Sequence, residues 1–127
     1  MSYQANLTDI QNHYLGEVAG SGHYRGQCAV FVQEVAHAGN THGWKQGEKV
    51  AGNVSISAGT AIATFDPDGQ YGNHTDGRSH AAIYVSQNKL GIVVYDQWLG
   101  QPVHQRTIRF GSGGRAVNDG DQYYVIE

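Results

Sequence analysis

Apolar positions in the first third of the chain recur at spacings of three and four. Leu7, Ile10, Tyr14 and Leu15 within "LTDIQNHYL" predict a short helix over 7–15. "EVAGSGHYRG" then reads as a loop. From Gln27 onward, Ala29, Val30, Phe31, Val32, Val35 and Ala36 crowd together as in a helix buried on most sides, closed by Gly39 and Asn40. "THGWKQGEKVAGN" reads as a loop or a short turn of helix carrying Trp44. Beyond Ile56 the pattern turns into short apolar runs and alternation. Strands are predicted at 59–66, 80–87, 92–99 and 104–110, and in the terminal "QYYVIE". A long polar, Gly-rich loop occupies 67–79, and "NKLG" and "GQPV" read as turns. Helices followed by an antiparallel meander of about five strands make an α+β domain, with N-terminal helices packed on one side of the sheet. The length fits one domain over 1–127, with no linker.

Composition narrows the classes. Only 15% of residues are charged and the net charge is −3, so no global basic field draws the chain to nucleic acid or anionic lipid. Arg106, Arg109 and Arg115 read as solvated surface. A single cysteine excludes an internal disulfide. The N-terminus lacks the basic and apolar regions of a Sec signal, and no run is long enough to span a membrane. The expectation is synthesis in the cytoplasm without a Sec signal, no membrane insertion, and another export route for any role outside. The 18 glycines have no period and punctuate turns.

That lone cysteine, Cys28, stands where a Gly-rich loop gives way to a helical pattern. Cysteine reacts as the thiolate, and a helix N-terminus favours the anion. The same unpaired N–H groups suit a developing oxyanion. A buried structural thiol is the competing reading.

A nucleophilic thiol needs a base, and the base an orienting group. Of seven histidines, His80 stands out because it opens an apolar strand directly after the long polar loop. If 80–87 and 92–99 pair as a hairpin, Asp96 returns beside His80, with Gln97 and Trp98 as rivals. The array is then Cys28, His80, Asp96 in chain order. There is no HExxH pattern and no cysteine cluster, so no metal or other cofactor is expected; His74, His80 and Asp76 are a weak alternative. Tyr24, Trp44, Tyr71, Tyr84 and Trp98 are candidate walls of a substrate cleft, and the 67–79 loop, with Gly69, Gly72 and Gly77, is a candidate lid.

"GQCAVFVQ", "GTAIATF", "HAAIYV" and "VYDQW" together resemble the papain-like cysteine amidases of the CHAP and NlpC/P60 group. In that group Glu and, two residues on, Asn are common where this chain has Asp96 and Trp98. The short chain also resembles small amidase effectors of type VI secretion systems. The resemblance implies Cys28 as nucleophile, His80 as base, Asp96 as the residue that orients the imidazole, and Gln27 beside an oxyanion hole partly formed by the Cys28 N–H. It further implies hydrolysis of an amide in peptidoglycan stem peptides, export to a target periplasm, and an immunity protein as partner. Three bonds stay open, with the peptide stem favoured: γ-D-glutamyl–diaminopimelate, the D-Ala–diaminopimelate cross-link and N-acetylmuramoyl–L-alanine. An inactive binding module of the same fold, or a papain-like protease or transferase acting on a protein, stays open as well.

Overall fold

A computed structural model describes residues 2–127. Its α-helices are α1 (Leu7–His13) and α2 (Cys28–Ala36). The strands are β1 (Gln46–Lys49), β2 (Ala61–Thr64), β3 (Ala81–Gln87), β4 (Gly91–Trp98), β5 (Gln101–Arg109) and β6 (Tyr123–Ile126). Among the described residues they form one antiparallel sheet in the order β1-β6-β2-β3-β4-β5. The architecture is α+β, as expected. It departs from a plain meander because β6 returns to pair with β2 rather than β5.

Helix α1 starts where the Asn6 side chain accepts a hydrogen bond from the Asp9 N–H, at 3.0 Å. Helix α2 buries Ala29, Phe31, Val32, Val35 and Ala36 and packs across β3 and β4. It ends earlier than Gly39 and Asn40 imply, because His37 takes the left-handed conformation (φ 55°) and stops it.

Both faces of the sheet are covered. On the helix side, Ala61, Ala63, Ala81, Ile83 and Tyr95 pack against Ile10, Phe31 and Val32. On the other, Ile62, Ala82, Tyr84, Ile92, Val94, Ile108 and Tyr123 form a second apolar cluster. This explains why "AIAT" is buried at every position rather than at alternate ones.

Two boundaries differ from the pattern-based expectation. "QGEK", expected in a loop or short helical turn, is the edge strand β1 against β6. It is polar and mostly exposed, so it carries no apolar alternation to betray it. "GQPV" is not a turn, because Gln101, Pro102 and Val103 already belong to β5. The β4–β5 connection is only Leu99 and Gly100, with Gly100 at φ 89°. That short connection pairs Asp96 with His104.

Candidate active site

Cys28 is the first residue of α2. The preceding Gly26 turns the chain at φ 90°, a value a side chain would resist, and Gln27 is extended at the N-cap. The thiol is half-buried at the helix N-terminus. His80 lies immediately before β3 and is held by its own backbone. Its N–H donates to Thr64 Oγ1 at 3.0 Å, and its carbonyl accepts the Thr64 N–H at 3.0 Å. Thr64, at the end of β2, thus fixes the residue from both sides.

The His80 ring meets Asp96 on β4, with Nε2 to Oδ2 at 2.7 Å. That commits Nε2 to the carboxylate, while the same imidazole acts on the Cys28 thiol and lowers it. Asp96 is fully buried. Arg106 on β5 donates from Nε to the same Oδ2 at 2.8 Å and reaches the Val117 carbonyl and Asn118 Oδ1 with its other nitrogens. His104 Nε2 stands 2.9 Å from Asp96 Oδ1, out of line for a hydrogen bond. Trp98 sets its ring edge-on to His80 and His104, and the Arg106 guanidinium lies 5.1 Å from its centroid.

Electrostatics follow from this packing. Burial pushes the Cys28 thiol up, but the hydrogen bond and charge of His80, the Ala81 N–H and the Tyr71 hydroxyl together bring it below its ordinary value. Burial pushes His80 down, but Asp96 and the thiolate outweigh it and raise the imidazole to about 9. Burial also pushes Asp96 up, and His80 and Arg106 hold it below the usual carboxylate range. The directions agree on an ion pair, thiolate beside imidazolium, steadied by a carboxylate. Such an array can attack a carbonyl and deliver a proton to the leaving group.

The array opens into a cleft of about 470 Å³. Gln27, Cys28, His80 and Trp98 line it together with Asn73, His74 and Ser79. The other candidate aromatics lie elsewhere. Trp44 is 2% exposed, with its indole N–H donating to the Ala38 carbonyl at 2.9 Å, so it is a core residue. Tyr84 belongs to the second apolar cluster. Tyr24 is exposed, lies outside the cleft lining and packs edge-on against His23. Tyr71 is buried under the site, tilted against Trp44, with its hydroxyl 3.7 Å from Cys28 Sγ. The 67–79 loop is therefore anchored through Tyr71. It is held again by His74 Nε2 and Asp66 Oδ2 at 2.8 Å. Gly72 lies so close to both side chains that a Cβ there would collide with them. Asp76 pairs with Arg78 rather than with His74 or His80. Among the described residues no group of three or more His, Cys, Asp or Glu side chains could hold a metal ion.

Arg106 overturns its reading as solvated surface, because the carboxylate it serves comes from the neighbouring strand. His104 was also missed. The signal that would have found both is the β4–β5 register: with a turn at 99–100, His104 falls opposite Asp96 and Arg106 on the same face two residues on.

A cysteine opening a core helix, a histidine entering a strand and an acid on the next strand, all on one antiparallel sheet, define a papain-like fold. The comparisons carry this from class to family. The profile described as domesticated amidase effector 2 matches residues 2–126. A type VI secretion amidase effector 2 protein of Salmonella typhi is 36% identical over 124 residues, covering 87% of this chain and 90% of that protein. A domesticated amidase effector 2 of Ixodes scapularis is 41% identical over 108 residues, covering 80% and 70% respectively. A solved structure of a type 6 secretion amidase effector 2 (Tae2) superposes with a TM-score of 0.78 at 31% identity, covering 97% of this chain and 93% of that one. The chain belongs to the domesticated amidase effector 2 family.

Proposed function

We propose that residues 1–127 act as one cysteine amidase domain that hydrolyses an amide bond in the stem peptides of peptidoglycan, as an exported antibacterial effector. The observation that carries this is the Cys28–His80–Asp96 array open to one cleft. Relatives named as amidase effectors support the amide-cleaving part of this reading, and the resemblance to the CHAP and NlpC/P60 group supports the peptidoglycan substrate.

In the proposed reaction the Cys28 thiolate adds to the scissile carbonyl carbon. The negative charge moves to the carbonyl oxygen, which the Cys28 N–H at the start of α2 stabilises, with the Gln27 side chain beside it. The tetrahedral species collapses as the His80 imidazolium gives its Nδ1 proton to the leaving amine. This leaves a thioester on Sγ and a neutral imidazole. His80 then takes a proton from water, hydroxide adds to the thioester, and the carboxylic acid product leaves as thiolate and imidazolium are restored. Asp96 holds Nε2 throughout and favours the charged ring. Arg106 keeps the carboxylate ionised and in place.

No helix among the described residues is long and apolar enough to cross a membrane. Under this reading the protein is delivered to a target periplasm by a type VI secretion system, and the producing cell carries an immunity protein that covers the cleft.

The test is digestion of purified Gram-negative sacculi by the native protein and by Cys28→Ala, with fragments read by mass spectrometry. Muropeptides released by the native protein alone are the expected result, and their masses name the bond. Sacculi left intact by both would overturn the proposal in favour of a binding role or a protein substrate.

A further inference from the structure

Strand β4 carries Asp96 and Gln97 side by side, and successive side chains on a strand point to opposite faces. Asp96 faces His80. Gln97 points toward α2, and although it is a polar amide it is fully buried. Its Oε1 accepts the Ala19 N–H at 2.8 Å, and its Nε2 donates to the Gln27 carbonyl at 2.9 Å and to the Ala19 carbonyl at 3.3 Å. Every one of these bonds goes to backbone of the segment that leads into Cys28. Gly26 N–H closes on the same Ala19 carbonyl at 3.0 Å, so the approach to the nucleophile is a loop knotted around one side chain.

The bond to the Gln27 carbonyl is the informative one. That oxygen and the Cys28 N–H belong to one rigid trans peptide and point in opposite directions. Holding the carbonyl therefore aims the N–H. The helix does this weakly by itself: the Phe31 N–H reaches the Gln27 carbonyl only at 3.4 Å. In the first turn of α2, the Cys28 N–H has no intrahelical acceptor and is free for a substrate oxygen.

We propose that Gln97 is a positioning residue that fixes the Gln27–Cys28 peptide plane, and so the oxyanion donor, while its neighbour Asp96 positions the base. This rests on the amidase reading and deepens it. One strand then sets both halves of the site: the proton-transfer half through Asp96 and the oxyanion half through Gln97.

The test separates the two halves in Gln97→Glu, which keeps an acceptor for Ala19, and in Gln97→Met. A short peptide aldehyde forms a thiohemiacetal with the thiol and places an oxyanion in the hole. The matching peptide alcohol does not. The expected result is about 100-fold weaker binding of the aldehyde, an unchanged affinity for the alcohol, and an unchanged pH profile of Cys28 alkylation by iodoacetamide. Equal weakening of aldehyde and alcohol, or none of either, would overturn the proposal. If both variants unfold, the native protein decides by NMR. The Gln97 side-chain amide protons should be protected from exchange, and the Cys28 amide proton should move downfield with the aldehyde but not with the alcohol. Exchange at the rate of a surface glutamine, or an unmoved Cys28 amide, would overturn it. Failure of the native protein to cut sacculi would instead remove the amidase reading and leave the aldehyde–alcohol comparison standing.

Discussion

His80 meets Asp96 at 2.7 Å and His74 meets Asp66 at 2.8 Å, and both imidazoles line the same cleft. By distance alone they are the same object. They differ in what surrounds them. The His80 and Asp96 side chains are 3% and 0% exposed, and Arg106 and the thiol of Cys28 complete the set. The His74 and Asp66 side chains are 26% and 27% exposed, at the base of a polar loop where the His74 N–H donates to the Ser79 hydroxyl at 2.9 Å. A partly exposed polar pair contributes little, because water competes for both partners. A buried one persists only if every partner is present, and its removal strands the others. Burial and a third partner separate the proposed reactive pair from a loop fastening.

Cutting each pair separately sharpens this contrast. The largest expected effect is on catalysis. His80→Gln should lower turnover of stem peptides by about 10³-fold or more, as should Cys28→Ala, because the two act as one unit. His74→Gln should change turnover by less than about tenfold and act through KM, since it removes only a cleft contact. Chromatography of released muropeptides measures both, and a comparable loss of turnover in His74→Gln would erase the distinction.

Next in size is the effect of the acids. Asp96→Asn leaves Arg106 without its counter-charge and His80 without an anion, so stability should fall by about 3–5 kcal/mol. Asp66→Asn should cost no more than about 1 kcal/mol. Urea unfolding of the two variants reads the difference directly.

The pH dependence should report on the His80–Asp96 pair. His80 has a folded pKa raised to about 9, above its unfolded value. Its stabilising contribution is therefore fully present below about pH 6.5 and is lost as pH rises through about 9. Asp96 is held low, so its contribution is present above the unfolded carboxylate range and is lost as pH falls through its folded value. In thermal unfolding followed across pH, His80→Gln should remove the alkaline fall. Iodoacetamide should alkylate Cys28 faster at pH 6 than it alkylates free cysteine, because the thiol is held low by His80. A rate no faster than that of free cysteine would show that the ion pair does not form.

The smallest effect should come from Gly72→Ala. Its methyl group would collide with the Asp66 and His74 side chains and push that pair apart without touching Asp96. The atoms it meets are the ends of two partly exposed side chains, so stability should change by about 1 kcal/mol or less, and KM more than kcat. A collapse in kcat would mean that the loop fastening supports the reactive pair.

Much of the site's vocabulary was legible in the chain. Cys28 at the start of a helical pattern, His80 at the mouth of an apolar strand and Asp96 on the next run all follow from local periodicity. The partners of Asp96 were not legible. Arg106 looked like one of three scattered surface arginines, and only a two-residue turn at 99–100 brings it under β4. Trp44 and Tyr71 looked like cleft aromatics, yet they are buried and pack against each other at a tilt of 54°. Local sequence carries no information on which side of a loop an aromatic ring will be buried.

Gln97 shows the same division at one residue. Alternation on β4 places it on the face opposite Asp96, so its direction could be read from the sequence. That it would meet the carbonyls of Ala19 and Gln27 could not. The sequence by itself determined the helix that begins at Cys28, the strand that His80 leads into, the strand that carries Asp96, and the class of chemistry those residue types allow. These depend on periods of a few residues, on capping and on intrinsic reactivity, all of them local. Only the tertiary structure decided which carboxylate is buried, which arginine neutralises it, and how far the thiol and imidazole shift each other's protonation. Those outcomes arise from contacts between residues far apart in sequence, where exclusion of water strengthens every charge interaction and packing selects the partners that share it.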